Sequence, residues 1–132
     1  MFEKIVLAVD GSEHSRKAAE VTAGLGRDGA EVLVVHVHEV GVVASIETPS
    51  DAQSLVDGVV RELNDAGLKA TGSAVTARAG STAPALLDAA KAFDADVIVM
   101  GTRGLSDFAG LLLGSIAHKV IHHAECPVLV VR

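Results

Sequence analysis

A chain of 132 residues fits one domain around a single sizeable core, so residues 1–132 are read as one domain. Its apolar residues (49%) are mostly Val, Ala and Leu, with three Phe and neither Trp nor Tyr. The core should therefore be aliphatic, and base-stacking platforms are lacking. A net charge of −6 without any basic run argues against nucleic acid and anionic membrane surfaces, which leaves small molecules and proteins as partners.

The single cysteine, Cys126, cannot close an internal disulfide, and Met1-Phe2-Glu3-Lys4 leads into a short strand without signal-peptide architecture. No apolar run approaches about 18 residues, so no membrane span is expected. The cytoplasm is the expected compartment.

In chain order, short apolar runs alternate with helical segments, the pattern of a parallel sheet covered on both faces. Strands are predicted at 4–9, 31–37, 96–100 and 127–131, all reading as buried on both faces. A further strand at 70–78 alternates small polar and apolar residues (Thr71, Ser73, Val75, Ala77), which suits a half-exposed edge. Ser12 can cap a first helix ending near residues 24–26, with Ala18, Val21 and Leu25 on its apolar stripe. A second helix, 50–66, carries Leu55, Val56, Val59, Val60 and Leu63 and stops at Gly67. The third starts at Ser81 or Thr82 with Pro84 in its first turn and buries Leu86, Leu87, Ala90 and Phe93. A fourth spans 115–123.

Five such strands make a doubly wound α/β sheet, and an edge position for the third strand gives the order 3-2-1-4-5. Ligands bind such sheets outside the carboxyl ends of the strands, here where the first and fourth strands meet. The two richest loops leave those two strand ends. One is Val9-Asp10-Gly11-Ser12; the other is the glycine-spaced segment 101–115, longer than most strand-to-helix connections. Its Gly101, Gly104 and Gly114 can take positive φ and admit a ligand near the backbone, and Ser115 adds a hydroxyl beside the free N–H groups of a helix N-terminus. Asp10-Gly11-Ser12 also reads as a plain turn and cap, and Arg103 as either a phosphate contact or a solvated side chain.

Gly101, Gly104, Gly114 and Ser115 stand at the spacing Gly, two residues, Gly, nine residues, Gly, then Ser. With the opening Ile5-Val6-Leu7-Ala8-Val9-Asp10-Gly11-Ser12, His36-Val37 at the second strand, and the closing Cys126-Pro127-Val128-Leu129-Val130-Val131, the chain closely resembles ATP-binding members of the universal stress protein family. Only residues 40–50 look idiosyncratic.

The resemblance implies an adenine nucleotide alpha hydrolase-like fold with ATP lying across the switch point. By that likeness Asp10, with Ser12 nearby, sits beside the adenosine, Ala8 and Val9 line that end, and the backbone around Val37 meets adenine. Met100 and Gly101 begin the ribose and phosphate cradle, Arg103 and Gly104 continue it, and Gly114, Ser115 and Ile116 bind phosphate. Many such relatives carry a basic residue in mid-loop where this chain has Ala109, and Asp107 adds negative charge. Mg²⁺ is therefore expected to bridge the phosphates, held by their oxygens and water.

Rival sites lack their residues. A dinucleotide fingerprint needs Gly-x-Gly-x-x-Gly after the first strand, where Asp10-Gly11-Ser12-Glu13-His14-Ser15 stands. The P-loop lysine is missing from Gly110–Ser115, and a receiver domain would need an aspartate where Ala77 and Arg78 end the third strand. His36 and His38 share a strand face, and His118 and His122 are one helical turn apart, but neither pair has an evident third metal ligand. His118, His122 and His123 read as a solvated helix face, which the dipole favours at a C-terminus. Cys126 reads as a small buried residue without an activating base.

The expected function is a regulatory ATP-binding module whose nucleotide state alters a dimer or partner surface. The alternatives are a slow ATPase or phosphotransferase using Asp10 or Ser115, and a nucleotide-independent structural dimer. The aliphatic edge Val128–Val131 invites association, and the resemblance implies a homodimer through it.

Overall fold

The computed structural model describes residues 2–41, 47–102 and 113–132. Among them, strands and helices alternate as β1 (Phe2–Ala8), α1 (Glu13–Leu25), β2 (Gly26–Val40), α2 (Pro49–Asp65), β3 (Lys69–Arg78), α3 (Thr82–Phe93), β4 (Val97–Gly101), α4 (Ser115–His123) and β5 (Val128–Val131). The strands form one parallel sheet in the expected order β3-β2-β1-β4-β5. Two outward steps on one side of β1 and the return on the other set the helices on opposite faces, as right-handed crossovers require.

Alternation along the central strands sorts their side chains between two apolar layers. Ile5, Leu7, Val32, Val34, Val97 and Val99 pack with Ala18 and Ala19 of α1 and Val56 and Leu63 of α2. Val6, Val35, Ile98 and Met100 pack on the opposite face with Ala83, Leu86 and Ala90 of α3 and Ala117 and Val120 of α4. Burial of each such aliphatic side chain contributes roughly 1.5–3 kcal/mol, so the paired faces hold the strand ends in fixed register.

Several expectations are corrected. β2 runs well beyond 31–37, because β3 pairs with it continuously from Glu31↔Lys69 to Val40↔Arg78, and Gly26 pairs with Phe2 at its start. β5 is half-buried throughout because it is an edge strand. On α1 the buried face is Ser15, Ala18, Ala19 and Thr22, and Val21 is 39% exposed. Thr22 fits there because its hydroxyl donates to the Ala18 carbonyl at 2.8 Å. The second helix is capped by Thr48, with Pro49 in its first turn and a reciprocal capping box to Asp51. In α3, Leu87 and Phe93 are only partly buried.

Candidate functional site

At the carboxyl end of β1 the chain turns sharply into α1. Gly11 takes φ +81°, a left-handed conformation that favours glycine. Asp10 Oδ1 accepts from the Ser12 N–H at 2.9 Å, Ser12 Oγ caps α1 by accepting from the Ser15 N–H at 3.2 Å, and Ser15 Oγ accepts from the Asp10 N–H at 3.0 Å. The turn-and-cap reading of Asp10-Gly11-Ser12 is thus realised in full. It also fixes the Asp10 backbone at the switch point.

β4 reaches the same place. A Cβ on Gly101 would lie 2.7 Å from His14 Cβ and 2.9 Å from its backbone carbon, so glycine here allows α1 to pack against the end of β4. His14 Nδ1 lies 2.8 Å from Thr102 Oγ1, and the Gly114 N–H donates to the Thr102 carbonyl. Both ends of the glycine-spaced segment therefore meet at its base, which ties the start of α4 to the end of β4. Gly101 and Gly114 are free to take positive φ, but neither adopts it: Gly114 is the N-cap of α4 with φ −67° and ψ 159°. Close packing at Gly101 and an extended cap at Gly114 are the physical reasons. Gly104 and Arg103 lie outside the described residues.

Gly114 has no side chain with which to cap α4, and among the described residues no side chain does so. The leading N–H groups of Ser115, Ile116 and Ala117 lack intrahelical partners by construction, and the helix dipole adds partial positive charge. Ser115 is exposed and Gly114 buried.

The expected apolar residues divide by what they can offer. Val9 (5% exposed) and Met100 (6%) have their side chains in the two cores, and Ala8 packs partly against the second. Their contribution at this end is backbone. Val37 is half-buried, and strand alternation turns its peptide groups to the same side as those of Val35, whose carbonyl accepts from the Val9 N–H at 2.9 Å. β1 ends at Ala8, so Val37 overhangs the crevice between β2 and β4.

Two further residues stand here. His36 Nδ1 meets the Val9 carbonyl at 2.8 Å and its Nε2 meets Glu47 Oε1 at 2.6 Å, while His38 Nδ1 meets Glu47 Oε2 at 2.8 Å. Burial pushes the Glu47 carboxyl up, but hydrogen bonds from His38 and His36 and their charge outweigh it and hold it below its ordinary 4.5. Glu47 uses a different oxygen for each ring, and among the described residues no three His, Cys, Asp or Glu are placed to hold a metal ion. The His36 and His38 pair was visible in the sequence; Glu47, in the idiosyncratic stretch, gave no local signal, and neither His14 nor Thr102 was singled out.

Elsewhere, His118, His122 and His123 are all exposed on the end of α4, with the first two rings 4.7 Å apart. Cys126 is partly buried, and burial together with the charges of Asp96 and Glu125 pushes its thiol up. It belongs to a cleft of about 360 Å³ at the amino ends of the strands, lined by Leu87, Lys91, Ala95, Ile98 and His123.

The model of the universal stress protein family matches residues 1–132. A Thermus aquaticus relative, the universal stress protein in the QAH/OAS sulfhydrylase 3′ region, is 40% identical, with 100% of both chains covered. The solved structure of hypothetical protein MJ0577 superposes with a TM-score of 0.89 at 26% identity, covering 99% of this chain and 96% of its own. That of the universal stress protein from Archaeoglobus fulgidus in complex with dAMP gives 0.76 at 25% identity, covering 100% and 98%. Sheet order, helix placement and a family match spanning every residue agree: the chain belongs to the universal stress protein family.

Proposed function

We propose that this protein is an ATP-binding regulatory module that acts in stress response, with Mg²⁺ held by phosphate oxygens and water. The observation that carries this reading is the start of α4, which no side chain caps among the described residues and which the Gly114–Thr102 hydrogen bond ties to the end of β4 at the switch point. Such a helix end suits phosphate, and the overhanging Val37 peptide suits the edge of a purine. The relative solved with dAMP supports an adenine nucleotide as the ligand class. In this reading Asp10, Ser12, Ala8, Val9 and Val37 form the adenosine side. Met100, Gly101, Arg103, Gly104, Gly114, Ser115 and Ile116 form the ribose and phosphate side.

Binding is favoured over hydrolysis. An attacking water needs a positioned base, and the three imidazoles at this end are engaged, His14 with Thr102, His36 with Val9 and Glu47, and His38 with Glu47. Regulation is proposed to pass through a cytoplasmic homodimer formed by β5. The Thr102 N–H donates to the Val131 carbonyl at 2.9 Å, so the base of the phosphate segment is hydrogen-bonded to that edge.

Calorimetric titration of ATP, with and without Mg²⁺, into the wild type and Gly114→Val tests this reading, with circular dichroism confirming that both are folded. Saturable binding by the wild type, strengthened by Mg²⁺ and at least about tenfold weaker in the variant, is expected because a branched side chain would crowd the helix start. Equal binding by both folded proteins, or none by either, contradicts it.

A further inference from the structure

His36 is a buried imidazole between two acceptors. It is 5% exposed, with Nδ1 at 2.8 Å from the Val9 carbonyl and Nε2 at 2.6 Å from Glu47 Oε1. A carbonyl only accepts, so Nδ1 carries a proton; a carboxylate also only accepts, so Nε2 carries another. With Glu47 ionised, as the contacts that hold its carboxyl below 4.5 favour, the geometry is that of an imidazolium paired with a carboxylate. His38 needs no charge to complete the cluster, since a neutral ring with its proton on Nδ1 donates to Glu47 Oε2.

This cluster lies where the β1–β2 ladder stops. The Val9 N–H donates to the Val35 carbonyl, and in a regular parallel ladder the next bond would run from the Val37 N–H to the Val9 carbonyl. Among the described residues that bond is not formed, and His36 Nδ1 takes the carbonyl. The two residues flanking Val37 are held by one carboxylate, which directly precedes Thr48, the cap of α2.

With an adenine nucleotide as ligand, which rests on the reading above, we infer that His36 is a positioning residue. Held as an imidazolium by Glu47, it occupies the Val9 carbonyl, reserves the Val37 amide for the base, and makes nucleotide affinity depend on its protonation. Loss of one proton turns the Nε2 lone pair toward Glu47 Oε1, and the contact becomes repulsive. The ring is then free to leave Val9, whose carbonyl can pair with the Val37 N–H instead. Affinity falls as pH rises and His36 gives up that proton. On the acid side the same contacts hold the Glu47 carboxyl below its ordinary 4.5.

Other titratable groups on the elements around it have their own places. Asp10 accepts from Ser12, His14 on α1 meets Thr102, and Asp51 on α2 is in the capping box. Glu39 on β2 accepts from Thr82 and Gly80, and Arg78 ends β3 opposite Val40.

The test combines ¹⁵N NMR of the histidine rings with calorimetric titration of ATP and Mg²⁺ from about pH 6.5 to 8.5, in the wild type and Glu47→Gln. A glutamine amide can donate to Nε2 of a neutral His36, so the variant needs no extra proton, and comparing the two proteins cancels the titration of ATP itself. Expected are two protonated nitrogens on His36 of the wild type at the lower pH, and an affinity that falls at least about tenfold more across the range than in Glu47→Gln, within the limit of about tenfold per pH unit for one linked proton. A singly protonated His36, or parallel pH profiles with binding retained, overturns the inference alone. Absence of binding in both proteins at every pH overturns it together with the nucleotide reading.

Discussion

Gly101 shows how one residue can be singled out for one reason and required for another. Its place in the glycine spacing marks a phosphate segment, whereas the packing shows α1 lying where its Cβ would be. Gly101→Ala should lower stability by about 1–3 kcal/mol, since the nearest atoms include the backbone of His14 and cannot simply rotate away. Chemical denaturation measures this; a midpoint unchanged from wild type would refute it. The neighbouring Asp10-Gly11-Ser12 turn was legible because its hydrogen bonds are local. Glu47 was not, because its partners His36 and His38 are eleven and nine residues away, and only the folded end of the sheet brings the three together.

At the scale of elements, the helix and strand alternation could be read from apolar period alone, but the contacts between elements could not. Thr48-Pro49-Ser50-Asp51 carries a capping-box signal with proline at the start, and the run begins two residues before Ser50. The exposure of Val21 was hidden because Thr22 satisfies its hydroxyl within α1 and can then take the buried position. Gly72 of β3 is a tertiary requirement. A Cβ there would lie 2.2 Å from Val56 Cγ1 and 3.0 Å from Val60 Cγ2 of α2. Gly72→Ala is expected to cost about 1–3 kcal/mol by overpacking. Val56→Ala should cost about 2 kcal/mol by leaving a cavity. Because the two changes share one space, the double variant should be at least about 1 kcal/mol more stable than the sum predicts. Additive losses in urea denaturation would show that α2 does not rest on β3 at this point.

For the whole molecule, the sheet order followed from one compositional cue, the polar alternation of β3, which assigned it to an edge. That order puts the ends of β1 and β4 side by side, and the described contacts run without a break from Asp10 through Ser15 and His14 to Thr102 and Gly114. Five of the proposed binding positions (Asp10, Ser12, Gly101, Gly114 and Ser115) therefore gather at one end of the sheet, while Cys126 and the cleft beside it lie at the other. A proposal of nucleotide binding is at root a claim about which end is used. The most direct measurement is the amide ¹H–¹⁵N spectrum recorded as ATP and Mg²⁺ are added. The largest shifts are predicted at Asp10, Val37, Gly101 and Gly114 to Ala117. Shifts concentrated around Ala95, Ala124 and Cys126, or none at millimolar nucleotide, would contradict the account.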